Sequence, residues 1–411
     1  MNKVKFSFSV FAFLILNYLP VVMAQNWPSW RGPGGDGTSM ESSLPVKWDS
    51  VTNVLWKSSV PGTGYSSPVI WENKLFITSA LPDTNEKILL CYNAGNGRLL
   101  WQKTVLRSGF EIKHYDNSFA SGTPATDGNL VYVSFLDGKY AMVAAYDFAG
   151  NRVWTQRPGK FYSPHGYSCS PVLFEDKVII NGNSQGNPFL AALRKTDGKI
   201  IWKIPLRNPS HSFSTPIFRK MAGKMQMIVL GNKEVASYNP DNGSKYWFVK
   251  GPSEDFCSSP VYNEKNGLLL ISSAWPQRII LAIKPDGNGN VTGSHVVWRS
   301  TQGAYYVPSP VCTDDYLFTT MTNGRVHCIE VATGNILWVE YMGRQYSSGV
   351  VADGLVYMPN DLGLITVIRP GSAFEPVSRN PIGERMNASP AISNGKIYLR
   401  GEKHLFCIGN Q

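Results

Sequence analysis

Residues 67–101 read SPVIWENKLFITSALPDTNEKILLCYNAGNGRLLW and form one complete unit of a repeat. A Ser-Pro pair opens the unit, short runs of alternating apolar residues follow, and an apolar-apolar-Trp triplet closes it. The opening recurs eight times, with Pro after Ser67, Thr123, Ser170, Thr215, Ser259, Ser309 and Ser389, and with Gly after Ser348. The later closing tryptophans are Trp154, Trp202, Trp247, Trp298 and Trp338. A repeat of about 40–50 residues that contains strands and tight turns predicts the blades of a propeller.

Turn residues within the units predict four short strands in each. The segment Lys74–Thr78 alternates as a strand does, and Gly-containing pairs such as Asn96-Gly97 and Asp197-Gly198 favour tight hairpins. No segment shows a sustained helical period. The units therefore predict antiparallel sheets with few or no helices.

The two ends of the repeat array are complementary. The eighth unit stops at Cys407 to Gly409 without a closing tryptophan, whereas Asn53 to Trp56 is a closing strand with no unit before it. Joining both ends in one blade would pair edges that would otherwise be exposed. The sequence thus predicts an all-β fold, an eight-bladed β-propeller over residues 53–411, with a closing blade shared by the two ends.

Two segments precede the predicted ring. Residues 1–24 carry Lys3 and Lys5 before a short apolar run, and small residues up to Ala24, as in a secretory signal peptide. The apolar run is too short for a membrane span, so an exported protein, periplasmic or secreted, is expected. Residues 25–52 contain Trp27 and Trp30 among Gly and Pro, and we interpret them as an arm laid across the propeller.

Composition narrows the class of partner. The formal net charge is +10, but no run of Lys or Arg exceeds two residues, and no nucleic-acid-binding motif is present. We therefore interpret the charge as scattered and solubilising, and we expect a monomer.

The six cysteines show no Cys-x-x-Cys and no adjacent pair. A Cys91–Cys407 disulfide is compatible with a closed ring, but buried thiols are favoured.

The closing segments resemble the tryptophan-docking motif of quinoprotein propellers, in which Ala, a few polar residues and Thr-Gly-Lys precede Trp. Ala192 to Trp202 fits well, and Cys328 to Trp338 keeps the same eleven-residue frame. This resemblance to PQQ-like repeat proteins covers nearly the whole chain after residue 24. One branch of that family comprises dehydrogenases that carry pyrroloquinoline quinone, and another resembles BamB, a non-catalytic scaffold of outer-membrane assembly.

Features of the quinone branch are missing from this chain. It lacks the adjacent cysteine pair and the long insertions of the alcohol dehydrogenases, so we expect no pyrroloquinoline quinone, no calcium and no other cofactor. The resemblance implies the fold and carries over no catalytic residue. The leading interpretation is an exported propeller that binds a ligand, a carbohydrate or a protein partner.

Three of the six histidines fall in equivalent loops, just upstream of the innermost strand of consecutive blades. They are His114, His165 and His211. Groups from separate units that meet at one concave point are what a site requires. Residues of the same kind of loop form the predicted site: Tyr115, Tyr167, Arg207, Tyr305, Tyr306, Arg344 and Tyr346.

The chemistry of this set leaves several alternatives open. In a polysaccharide lyase that acts on acidic carbohydrate, His165 or His211 would be the base, Tyr167 the proton donor and Arg207 the carboxylate clamp. His114, Tyr115, Tyr305, Tyr306, Arg344 and Tyr346 would instead contact a bound ligand. Three histidines could also hold a metal ion, although no metal site is predicted, or each could cap a turn. Whether the protein is an enzyme stays open.

Overall fold

The computed structural model describes residues 25–273 and 275–410, which form eight antiparallel sheets arranged in a ring. The only helical segment among these residues is a short 3-10 turn, Pro82–Thr84. The eight-bladed propeller predicted from the repeat is confirmed. We number the blades 1 to 8 in chain order and letter the strands A to D from the axis outward.

Blades 1 to 4 follow one another along the chain. Blade 1 consists of Val69–Trp71, Lys74–Leu81, Glu86–Asn93 and Leu99–Arg107. Blade 2 consists of Ala125–Thr126, Leu130–Asp137, Tyr140–Asp147 and Arg152–Lys160. Blade 3 consists of Val172–Phe174, Lys177–Gly182, Phe189–Arg194 and Ile200–Pro205. Blade 4 consists of Ile217–Met221, Lys224–Gly231, Glu234–Tyr238 and Lys245–Lys250.

The remaining blades keep the same order. Blade 5 consists of Val261–Asn263, Leu268–Ser273, Ile279–Ile283 and Val296–Ser300. Blade 6 consists of Val311–Cys312, Tyr316–Thr320, Arg325–Glu330 and Ile336–Tyr341. Blade 7 consists of Val350–Ala352, Leu355–Pro359, Leu364–Arg369 and Glu375–Pro381. Blade 8 consists of Ala391–Ser393, Lys396–Arg400, His404–Ile408 and the N-terminal strand Val54–Ser59.

Blade 8 closes the ring with strands from both ends of the chain. The strand Val54–Ser59 pairs antiparallel with His404–Ile408, so that Trp56 lies opposite Cys407 and Ser59 opposite His404. The outermost strand of this blade therefore comes from the beginning of the array, as the sequence predicted. This pairing covers the edge that His404–Ile408 would otherwise expose.

Strand position within a blade explains the burial pattern of the residues. The middle strand Lys177–Gly182 is buried throughout, because neighbouring blades cover both faces of each sheet. The outer strand Ile200–Pro205 is mostly exposed, but it buries Trp202. The apolar runs of the middle strands, and the single tryptophan of every outer strand except that of blade 7, thus supply the core between blades.

The Ser/Thr that precedes Pro serves as a link between blades. Its hydroxyl oxygen accepts a hydrogen bond from the backbone N–H of the equivalent residue in the preceding blade. Seven such bonds, of 2.7–3.0 Å, link Ser67 to Thr123, Thr123 to Ser170, Thr215 to Ser259, Ser259 to Ser309, Ser309 to Ser348, Ser348 to Ser389, and Ser389 to Ser67. We call these eight residues the hydroxyl ring. Ser348, which lacks the Pro, keeps its place in it.

The closing tryptophans dock on the next blade. Trp154 donates its Nε1–H to the Lys195 carbonyl oxygen at 2.7 Å, and its ring lies against Gly198. Gly198 has φ +71°, and a Cβ at that position would lie 2.5 Å from the Trp154 ring. The motif therefore needs glycine both for its backbone conformation and for the close approach of the indole. Trp56 docks in the same way on Gly97 of blade 1.

Trp247 departs from this pattern for a local reason. The segment between strands C and D of blade 5 adds a short fifth strand, Gly289–Asn290, parallel to the outer edge of blade 4. This strand covers Trp247 completely, and the indole donates to Gln226 of its own blade at 2.8 Å. Gln226 in turn donates to the Pro285 carbonyl oxygen at 2.8 Å and so completes the link to blade 5.

Residues 25–52 cross one face of the ring, which we call the arm face. Backbone hydrogen bonds join Trp27 to Ile70 of blade 1 and Ser39 to Val351 of blade 7. Arg219 of blade 4 donates to the Gly34 carbonyl oxygen at 2.7 Å. Because these three partners lie on innermost strands of separate blades, the arm crosses the central channel.

The arm is fixed by a buried guanidinium. Arg31 is buried and donates to the carbonyl oxygens of Asp36 and Pro310. Removal from water lowers the pKa of Arg31 to about 10 despite the nearby Asp36 carboxylate.

The structure tests the prediction for Cys91 and Cys407 but not the predicted signal peptide. Cys91 and Cys407 are both buried free thiols, and burial raises the pKa of each to about 12. The predicted signal peptide, residues 1–24, lies outside the described residues. Within the described part of the chain, no helix has the length and apolar character needed to cross a membrane.

Candidate functional site

A cavity of about 560 Å³ lies on the propeller axis. It opens on the face opposite the arm, which we call the mouth face. That face carries the loops that join strand D of one blade to strand A of the next, together with the B–C turns. Five members of the hydroxyl ring line the cavity: Ser67, Ser170, Thr215, Ser348 and Ser389. Its aromatic wall consists of Trp30, Tyr65, Tyr115, Phe213, Tyr306 and Tyr346.

The three predicted histidines lie side by side at this cavity. The ring centroids of His114 and His165 are 6.0 Å apart, and those of His165 and His211 are 5.4 Å apart. His114 and His165 line the cavity, whereas His211 is buried behind His165. The geometry expected from equivalent loops of consecutive blades is present, although it assigns no chemical role to any of them.

Neighbouring residues fix the loops that carry the three histidines. The Nδ1 of His211 lies 3.2 Å from Asp255 Oδ1, which also accepts the His211 backbone N–H. Asn117 donates to the His165 carbonyl oxygen at 2.7 Å. The loop of His114 is anchored by a buried ion pair, in which Lys87 Nζ lies 2.5 Å from a Glu111 carboxylate oxygen.

Three of the predicted site residues lie away from the cavity. Tyr167 is buried with its ring edge-on to Phe161, and burial holds the pKa of its hydroxyl well above the ordinary value. Arg207 is exposed and does not line the cavity. Tyr305 is buried near Arg31. The base, proton donor and carboxylate clamp of the lyase hypothesis therefore do not meet at the cavity.

The other predicted ligand contacts do line the cavity. They are His114, Tyr115, Tyr306, Arg344 and Tyr346. Arg344 lies with its guanidinium 4.8 Å from the centre of the Tyr346 ring and 3.4 Å from the carboxylate oxygens of Asp116. Because Asp116 belongs to the loop before blade 2 and Arg344 to the loop before blade 7, this ion pair spans the mouth.

Sequence reasoning missed the remaining functional candidates. Asp116 follows His114 and Tyr115 directly, so its place in the same loop was the available signal. Trp30 lines the cavity from the arm, and no local pattern places an arm residue there. The Ser and Thr residues of the hydroxyl ring marked the start of each repeat in the sequence, but nothing in the sequence indicated that they line the cavity.

No metal site is formed by the three histidines. Across residues 25–273 and 275–410, no three His, Cys, Asp or Glu side chains come together in a way that could hold a metal ion. Asp255 contacts only His211 of the cluster, and Asp116 pairs with Arg344.

The histidine cluster predicts a loss of stability at mildly acidic pH. Burial, with the neighbouring His211 and His114, lowers the pKa of His165 below its ordinary value of 6.5. The unfolded chain therefore binds a proton that the folded protein resists, so stability is fully present above about pH 6.5 and falls as the pH drops below it. We expect the thermal midpoint to decline between about pH 7 and pH 5, and His165→Asn to flatten part of the decline.

The matched variant for this measurement is His295→Asn, on the blade 5 segment outside the cavity. Its pH profile shows how much of any change comes from replacing a histidine outside the cavity. An unchanged decline in His165→Asn would contradict the prediction, whereas a residual slope in that variant agrees with it, because burial also lowers the pKa of His327.

Comparisons with known proteins agree with this architecture. Residues 85–340 match a family model described as outer membrane protein assembly factor BamB. The protein of that name from Yersinia pestis is 22% identical over 349 residues, which cover 84% of this chain and 75% of the relative.

Two solved structures are similar in fold. BamB from Moraxella catarrhalis superposes with a TM-score of 0.63 at 13% identity, over 87% of this chain and 97% of that one. The quinohemoprotein alcohol dehydrogenase from Comamonas testosteroni superposes with a TM-score of 0.68 at 12% identity, over 94% of this chain and 81% of that one. At these identities the likeness shows a shared propeller and nothing about activity.

Proposed function

The chain belongs to the family whose model is described as outer membrane protein assembly factor BamB, and on this premise we propose that it is an exported propeller that binds a protein partner in outer membrane assembly. The observation that carries the proposal is a set of exposed large apolar side chains on the mouth face. Six residues of that face have 61–79% of their surface exposed: Ile112, Tyr115, Tyr162, Trp275, Tyr341 and Leu362.

The position of these residues favours a docking surface over scattered exposure. Ile112, Tyr115 and Tyr162 lie in D–A loops, Trp275 and Leu362 lie in B–C turns, and Tyr341 ends a strand D. All six are therefore at the same end of their sheets. Exposed apolar residues that cluster on one face mark protein interaction sites, and aromatic anchors dominate the energy of such interfaces.

We further propose that this function uses no pyrroloquinoline quinone. That cofactor carries three carboxylates, whereas Arg344 is the one guanidinium among the cavity residues, and it is already paired with Asp116. One paired guanidinium and a few neutral hydroxyls could receive one carboxylate but not three, which supports the proposal that the cavity holds no quinone. The geometry gives no comparable support to the polysaccharide-lyase alternative, because Tyr167 and Arg207 lie apart from the cavity.

Site-specific photo-crosslinking in the cell envelope tests the partner proposal. A photoreactive phenylalanine analogue at position 115 or 275 should form adducts with an outer membrane assembly protein. The same analogue in place of Ile200, an exposed residue of an outer strand of blade 3, should not.

Purified components give the quantitative form of the test. Replacing both anchors, Tyr115→Ser with Trp275→Ser, should weaken partner binding more than about tenfold, as expected for hot-spot residues, while Ile200→Ser leaves it unchanged. Adducts that are equally frequent from all three positions, or equal affinity in both variants, would place the interface elsewhere and overturn the proposal.

A further inference from the structure

The hydroxyl ring leaves unused hydrogen-bond donors inside the axial cavity. Ser67, Ser170, Ser348 and Ser389 each accept a backbone N–H from the preceding blade, which occupies a lone pair of the oxygen. A hydroxyl has one proton to donate and two lone pairs. None of these four, nor Thr215, donates to any described residue, and all five line the cavity. Their protons therefore have no acceptor in the described protein.

Burial makes these donors costly to leave unpaired. All five side chains belong to residues that are more than nine-tenths buried. A buried donor without an acceptor loses the hydrogen bond it made in water, so the occupied cavity should present acceptor atoms to them. Ser348, Ser389 and Ser67 come from consecutive blades 7, 8 and 1, and Ser170 and Thr215 come from consecutive blades 3 and 4, so the hydroxyls of each set can act together on one acceptor group.

A carboxylate matches this arrangement of donors. Its two oxygens offer about four acceptor positions, and hydrogen bonds to an ionised acceptor are roughly twice as strong as neutral ones. The electrostatic surroundings agree, because Asp116 is the one carboxylate among the lining residues and it is held by Arg344. A neutral donor-rich group would leave the five hydroxyl protons unpaired.

The size and walls of the cavity define the rest of the ligand. A volume of about 560 Å³ is much larger than an inorganic anion needs, and it falls in the range of small-molecule pockets. The wall beyond the hydroxyls is aromatic, with Trp30, Phe213 and Tyr306 among its residues. Such a wall packs against an apolar body.

We propose that the axial cavity binds a carboxylate carried on an aromatic or aliphatic body, with the carboxylate against the hydroxyl ring. The ligand is either a free organic acid or the C-terminal carboxylate of a polypeptide, since both present the same chemistry. The proposal does not rest on the partner proposed for the mouth face, because the five hydroxyls lie inside the ring and only Tyr115 belongs to both surfaces.

Titration calorimetry with the purified protein tests the site directly. The probes are 3-phenylpropionate and its neutral amide, which has nearly the same shape. The acid should bind at least about tenfold more tightly than the amide, as expected when a charge-assisted hydrogen bond is lost. Binding should also change the fluorescence of Trp30, which lines the cavity.

Two threonines, one at the cavity and one outside it, provide a matched pair of variants. Thr215 lines the cavity and accepts no ring hydrogen bond, so Thr215→Val should weaken acid binding about tenfold without unlinking two blades. Thr155 is an exposed residue of the outer strand of blade 2 and does not line the cavity, so Thr155→Val should leave acid affinity unchanged. Equal thermal midpoints of Thr215→Val and the wild type establish that the variant is folded.

Peptides distinguish the two sources of the carboxylate. An acetylated tripeptide that ends in phenylalanine, with a free or an amidated C-terminus, is compared with 3-phenylpropionate. Tighter binding of the free-acid peptide identifies a chain terminus, and binding of the small acid alone identifies a free organic acid. Equal affinity for acid and amide, no binding of either at millimolar concentration, or binding of formate as strong as that of 3-phenylpropionate overturns the proposal.

Discussion

Trp56→Ala should lower the free energy of unfolding by about 3–5 kcal/mol, the range for truncation of a buried tryptophan. The Trp56 side chain is 8% exposed, donates to the Ala94 carbonyl oxygen at 3.0 Å and packs 6.1 Å from the Tyr398 ring. It also covers Gly97 at the junction of blades 8 and 1. The substitution therefore leaves a cavity at the joint that closes the ring. Urea unfolding followed by circular dichroism measures the loss.

Trp202→Ala is the matched control for the role of the closing joint. Trp202 is 9% exposed and donates to the Pro240 carbonyl oxygen at 3.1 Å, between blades 3 and 4. The Trp202→Ala variant should lose a similar free energy of unfolding. The strand that carries Trp202, however, follows directly in the chain from the other strands of blade 3. Limited proteolysis should therefore cut near residues 50–60 faster only in Trp56→Ala, because that strand can separate locally. A loss below about 1 kcal/mol in Trp56→Ala, or equal proteolysis of both variants, would refute this account.

Gly198→Ala should lower the free energy of unfolding by about 2–5 kcal/mol, as the sum of two costs. Left-handed backbone, here φ +71°, costs an ordinary residue about 1–2 kcal/mol. The new methyl group would also lie 2.5 Å from the Trp154 ring, and such overpacking adds about 1–3 kcal/mol. Thermal and urea unfolding both report the change.

Gly223→Ala separates the two costs. Gly223 has φ +78°, and a Cβ there would meet nothing within 4 Å. Its substitution should therefore cost only the backbone strain, about 1–2 kcal/mol. If Gly198→Ala proves no more destabilising than Gly223→Ala, the docked indole imposes no packing requirement on the turn.

The fold was predictable because its signals are local and repeated. Each Ser/Thr before Pro takes part in a hydrogen-bond link between blades, and the Gly before most closing tryptophans is the surface on which the preceding indole docks. The fifth strand of blade 4 was not predictable. Its residues Gly289 and Asn290 have no strand pattern, and they pair only because the chain passes the exposed edge beside Trp247.

The candidate site was predictable where it follows the ring symmetry. His114, His165 and His211 occupy equivalent loop positions, and equivalent positions of adjacent blades are neighbours in space. Orientation within a loop was not predictable. Tyr305 is buried and Tyr306 lines the cavity, although they are adjacent in sequence. Trp30 reaches the cavity through the path of the arm, which depends on contacts with distant blades.

The arm across one face turns the propeller channel into a blind socket. A molecule that enters the axial cavity cannot leave by the far end, because Trp30 stands there, so it must depart by the route of entry. A polypeptide could insert a terminus but could not be threaded through the ring. Any protein seated on the exposed aromatic residues around the opening would also cover that single exit. Occupancy of the socket and docking on the face would then be kinetically linked, with dissociation of the outer molecule preceding release of the inner one.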